Sequence, residues 1–110
     1  MASIELSARD WAVLDRLREM GDSLEQSRHT LFFFYKRKES ETADFDRISA
    51  AAEQKRLSVA GRNDDGLIIE GDLHVDPVSI APLLEWAEDI AAEADALFDG
   101  WECAVVASKH

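Results

Sequence analysis

Three histidines, one cysteine and a run of carboxylates are the groups in this 110-residue chain whose chemistry could matter. His29, His74 and His110 show no metal-ligand spacing, since a confident metal reading needs two histidines one helical turn apart or a Cys-x-x-Cys pair. His29 and His74 fall in segments that read as neighbouring strands and could approach one another, but the expectation is no metal and no cofactor. Cys103 sits in an apolar stretch, where a thiol acts as a small buried hydrophobe and not as a nucleophile. Neither a Gly-x-Ser-x-Gly elbow nor a glycine-rich phosphate loop occurs. Glu85, Glu88, Asp89 and Glu93 recur along one side of a helical stretch, yet catalytic carboxylates need a pocket that shifts their pKa values apart. Their plain reading is a solvated face, and the alternative is a patch turned toward a partner. No enzymatic activity is expected.

The charge distribution narrows the partner classes. The net charge is −11, and no Lys or Arg occurs between Arg62 and Lys109, while twelve acids fall between Asp64 and Glu102. Affinity for nucleic acid comes mainly from neutralising phosphates, so direct binding to RNA or DNA is not expected. An acidic half suits a basic protein surface, or serves only solubility. No apolar stretch reaches the length of a membrane span, and the N-terminal residues lack a basic and apolar signal pattern. With a single cysteine, no internal disulfide can form, which fits a reducing cytoplasm. The length suits one domain over residues 1–110 with one core.

The element that must organise that core is Leu31-Phe32-Phe33-Phe34-Tyr35, which holds four of the nine aromatic residues. It is short, rich in β-formers and apolar at successive positions, so it predicts a central strand over 28–37 covered on both sides. Ser7 with Asp10 resembles a capping box, and Trp11, Leu14, Leu17 and Met20 place a first helix over 8–20, stopped by Gly21. Residues 22–27 read as a polar connector. Ser40 and Glu41 predict the start of a second helix whose inner face is Phe45, Ile48 and Ala52. A short strand over 57–61, a turn at 63–66 with Asp65-Gly66 as the hairpin pair, and a third strand over 67–75 follow.

In that third strand Leu67, Ile69, Leu73 and Val75 point one way, and Ile68, Glu70, Asp72 and His74 the other. Asp76-Pro77 ends it. A last helix is expected over 79–98, with Pro82 in its first turn and an apolar face from Ile80 to Leu97. Asp99-Gly100 then turns the chain into a fourth strand over 101–107. After the N-terminal helix, the βαββαβ order predicts an α+β, ferredoxin-like sandwich: a four-stranded antiparallel sheet with its first and third strands central. Two helices cover one face. The extra helix most simply covers the other, through Trp11, Leu14 and Leu17; the rival is that this face forms a homodimer or partner interface. The same strand order occurs in RNA-recognition modules, but Glu70 and Asp72 on the polar face of the third strand would repel phosphate.

Three stretches carry a family resemblance: Glu19-Met20-Gly21-Asp22-Ser23-Leu24, then the run from Ser27 through Tyr35, and Phe98-Asp99-Gly100-Trp101. Together they resemble the regulators of ribonuclease E activity, type B, across nearly the whole chain and in the same element order. The chain departs from that pattern at Ser27 and Lys36, where prolines are expected, and at Ala96-Leu97, where the family has Gly-Gly. The resemblance implies a ferredoxin-like fold without catalysis, in a small cytoplasmic protein that binds ribonuclease E and lowers its cleavage of RNA. The candidate partner-binding residues are Glu85, Glu88, Asp89, Glu93, Glu70, Asp72 and Trp101. Trp101 has two readings, a core anchor beside a turn or a half-exposed contact of the kind Trp often makes at interfaces.

Overall fold

The computed structural model describes residues 6–37 and 42–106. The elements follow in the order α1 (Ala8–Glu19), β1 (Arg28–Lys36), α2 (Phe45–Gln54), β2 (Ser58–Arg62), β3 (Gly66–Leu73), α3 (Pro77–Glu93) and β4 (Ala96–Cys103). The four strands form one antiparallel sheet in the order β2-β3-β1-β4, so β1 and β3 are central and the element order fits the βαββαβ reading. The fold is mixed α+β.

Helix boundaries follow from local caps. Ser7 accepts from the Asp10 amide, and the Asp10 carboxylate accepts from the Ser7 amide, so both partners of the capping box are engaged. Gly21, at φ +87°, ends the first helix in the left-handed conformation open to glycine. The start of α2 is capped by Asp44, not by Ser40, which lies with Glu41 outside the described residues. Its inner face is Phe45, Ile48 and Ala52, as their spacing requires.

The third helix differs most from expectation. Asp76 does not close β3 but caps α3, with Pro77 at the first helical position. Pro82 is therefore inside the helix; it and Val78, whose carbonyl loses its partner, are both on the exposed side. The helix ends at Glu93 with Ala94 as its C-cap, because Asp95 takes φ 56°, and Leu97 and Phe98 belong to β4. A non-glycine residue performs the stop, and so no glycine signals it.

Asp99-Gly100 is consequently not a turn. It lies inside β4, where β1 advances two residues, Phe32 to Phe34, while β4 advances three, Phe98 to Trp101. The extra residue is a β-bulge, and Gly100 adopts φ +111° to make it. Its effect is on direction: Phe98 and Trp101, an odd number of positions apart, both reach the helix side of the sheet. Gly66, unlike Gly100, is not at a positive φ; Asn63 closes the β2–β3 turn by accepting from the amides of Asp65 and Gly66. Gly66 is small because the Tyr35 ring lies 3.0 Å from where its Cβ would be.

The core lies between the sheet and all three helices. Phe32, Phe34, Ile69 and Leu67 are buried on the helix side, and Phe34 meets Trp86 of α3 edge-on at 6.5 Å. Leu57, at the exit of α2, packs over Gly71, whose missing side chain makes room for it. Leu14 and Leu17 of α1 join the same core. The expectation that α1 covers the second face of the sheet is overturned. Asp10 accepts from the Trp101 indole at 3.0 Å and Arg9 donates to the Asp99 carbonyl at 2.8 Å, so α1 docks beside α3 over edge strand β4. A bilayer of cover was wrong for a simple reason. β1 alternates: Arg28, Thr30, Phe32 and Phe34 are buried, while His29 and Tyr35 are exposed and Leu31 and Phe33 half-buried.

Candidate functional site

The acidic residues singled out from sequence do not gather into one surface. Glu85, Glu88, Asp89 and Glu93 stand on the exposed side of α3. Glu93 pairs with Arg47 of α2 at 3.4 Å; Glu85, Glu88 and Asp89 make no ion pair among the described residues. Between α1 and α3 runs an open groove of about 560 Å³ floored by Leu84 and Phe98, with Glu85 and Glu88 at its edge. Arg9 and Asp10 of α1 line its other side, so both signs of charge face the groove, and it brings no nucleophile against a base. Glu70 and Asp72 lie on the opposite side of the molecule, on the open face of the sheet.

Trp101 belongs to neither acidic group. It is 7% exposed, and its indole N–H is satisfied by Asp10, so it packs and presents no contact surface. The bulge that turns it inward is the physical reason.

The open face can be laid out from strand register. One row crosses Ser58, Glu70, Leu31 and Glu102; the next crosses Gly61, Ile68 and Phe33; the last crosses Gly66, Tyr35 and Leu97. Above the first row His29 faces Asp72, and its Nε2 lies 3.3 Å from a Glu70 oxygen. Tyr35 is 43% exposed and Leu97 47%. The face thus has an apolar end at Ile68, Phe33, Tyr35 and Leu97 and an acidic end at Glu70, Asp72 and Glu102.

Sequence reasoning passed over one site altogether. Residues 22–27, read as a polar connector, hold a buried ion pair: Asp22 grips Arg28 through both carboxylate oxygens. Asp22 also accepts from the amides of Leu24 and Val106, and Arg28 donates to the carbonyls of Gln26 and Ala104. Burial alone would raise the Asp22 pKa. The hydrogen bond from Arg28, the two amides and the guanidinium charge outweigh it and bring the value from 3.8 to about 2. The pair ties the end of β4 to the start of β1, a structural clamp and not a catalytic dyad, since nothing is left open for a substrate atom. The signal was present in Gly21-Asp22-x-Leu24, one of the stretches that carries the family resemblance; the structure adds that Leu24 takes φ 65° there.

Burial pushes the Cys103 thiol up, which suppresses its thiolate. His74 is exposed beyond the end of β3, and His29 is engaged with Glu70 and not with His74. Among the described residues no group of three or more His, Cys, Asp or Glu side chains could hold a metal ion. Nor, among them, is any helix long and apolar enough to cross a membrane.

No curated protein matches the chain at the level that separates relatives from chance. A family model described as regulator of ribonuclease activity B matches residues 7–103, a span that runs from the cap of α1 to the last residue of β4. It takes in the Asp22–Arg28 clamp and the Gly100 bulge. The chain belongs to the regulator of ribonuclease activity B family.

Proposed function

We propose that the protein is a non-catalytic, cytoplasmic regulator that binds an endonuclease of the ribonuclease E type and lowers its cleavage of RNA. The family match over residues 7–103 carries this reading. The charge supports it: with a net charge of −11 the protein is repelled by RNA and drawn to a basic protein segment. Glu85, Glu88 and Asp89, exposed on α3, act as steering charges, which affect the rate of encounter more than the lifetime of a complex. The test is binding of purified ribonuclease E from the same source, followed as salt is raised, together with cleavage of an RNA substrate with and without the protein. Salt-sensitive binding and slowed cleavage are expected. Folded protein that fails to bind the endonuclease even at low salt refutes the proposal.

A further inference from the structure

The open sheet face combines features that the core-facing side lacks. Ile68, Phe33, Tyr35 and Leu97 form a continuous apolar area by register, spanning β3, β1 and β4. Exposed apolar side chains that adjoin one another, unlike scattered ones, mark interaction surfaces. On β2 the neighbour of Ile68 is Gly61, where an added Cβ would have only the Ile68 Cδ1 atom near it, at 3.9 Å. That leaves a shallow step beside the Ile68 side chain into which an incoming group fits. Aromatic anchors at the centre of such a patch are the residues that dominate binding energy.

Charge selects the occupant. Glu70 and Glu102 flank Leu31 on its two neighbouring strands, and Asp72 lies one row further along. Along a strand, side chains on one face repeat about every 7 Å, so the acidic row stands roughly 13 Å from the Tyr35–Leu97 row. A second copy of the chain would bring another row of the same carboxylates and the same net charge of −11 to this face, which opposes self-association. Single-stranded RNA could stack on Phe33 and Tyr35, but its phosphates would meet Glu70 and Glu102. A helical peptide places residues two turns apart about 11 Å from each other, close to the separation of the two ends.

We infer that the open face of the sheet is the docking surface for a protein segment with an apolar or aromatic anchor and one or two Lys or Arg residues about two helical turns away. The inference rests on the proposed function only for the identity of that partner. The anchor sits on Phe33, Tyr35, Ile68 and Leu97, and the cations meet Glu70 and Glu102.

Two probes test it. The first is ribonuclease E from the same source, titrated against wild type, the Tyr35→Ser/Leu97→Ser double variant and the Glu85→Lys/Asp89→Lys double variant. The sheet variant is expected to bind at least tenfold more weakly, through faster dissociation. The α3 variant changes chiefly the association rate. The second probe is a synthetic 14-residue amphipathic Leu/Lys peptide, with a Leu/Glu peptide as control. Wild type binds the Lys peptide, shifts the methyl signals of Leu31, Ile68 and Leu97, and loses that response in the sheet variant.

Failure of the endonuclease to bind, with the Lys peptide still seated on the sheet, overturns the proposed function and leaves this inference standing. Equal binding of both probes by wild type and sheet variant overturns the inference. So does a dimer in sedimentation that Tyr35→Ser/Leu97→Ser dissociates, or tighter binding of an oligouridylate than of the Lys peptide. Both substituted positions are exposed, so the variant folds, and matched circular dichroism melts verify it.

Discussion

Phe32 and Phe34 on one side of β1, and Phe33 and Tyr35 on the other, are neighbours in sequence and similar in chemistry, yet they do different work. The first pair is fully buried and meets Phe98 at 6.1 Å and 5.4 Å, with Trp86 behind Phe34. The second pair lies on a face that no helix covers among the described residues, because α1 joins α2 and α3 on the same side. An apolar run therefore does not by itself mean two layers of cover. It means one face for the core and one face whose apolar area is available for another use.

The largest expected effect separates these faces directly. Phe34→Ala should cost about 3–5 kcal/mol of stability, because a fully packed ring leaves a cavity. Phe33→Ala should cost less, about 1–2 kcal/mol, since its ring is only partly buried on the outer face. Guanidinium denaturation of the two variants checks this, and equal losses would break the distinction between the faces.

Asp22→Ala should be of similar size, about 3–5 kcal/mol, because it strands the Arg28 guanidinium inside the protein. The same pair predicts a pH dependence. The folded-state pKa of about 2 lies below the ordinary 3.8, so the stabilisation is fully present above about pH 4–5 and is lost as pH falls toward 2. Its size is on the order of 2 kcal/mol. Denaturation midpoints between pH 5 and pH 2 should fall more steeply for wild type than for Asp22→Asn.

Smaller effects sharpen the contrast at β4. Gly100→Ala should cost about 1–3 kcal/mol, since φ +111° strains any side chain and the new methyl would meet Arg9 Nη2 at 3.0 Å. Trp101→Phe keeps most of the packing but loses the hydrogen bond to Asp10, about 1 kcal/mol. Tyr35→Ser with Leu97→Ser should cost no more than about 1–2 kcal/mol for the pair, because nearly half of each side chain is in solvent already. A thermal melt that drops markedly in that variant would mean the outer face serves the fold.

Periodicity was a sound guide wherever one face of an element meets the core. It located α1, the inner face of α2, both central strands and the alternation of Leu67, Ile69 and Leu73 against Ile68, Glu70 and Asp72, although β3 ends at Leu73 and Val75 is buried beyond it. It failed at the α3–β4 boundary, where the apolar stripe of the helix runs without a break into Ala96 and Phe98 of the strand. The left-handed residue there is Asp95 and not a glycine. It also failed for residues 22–27, because a buried ion pair has the composition of a solvated loop.

Local chemistry in the chain therefore determined the elements, their order and the acidic character that disfavours nucleic acid. These depend on spacing, capping and charge count, all of which are properties of short stretches. Tertiary structure decided which side α1 docks on, which way Trp101 points, and which of two alternating aromatic pairs stays open. Those outcomes depend on one inserted residue at Gly100 and on a hydrogen bond between positions 10 and 101, and no window of sequence contains both ends of such a contact.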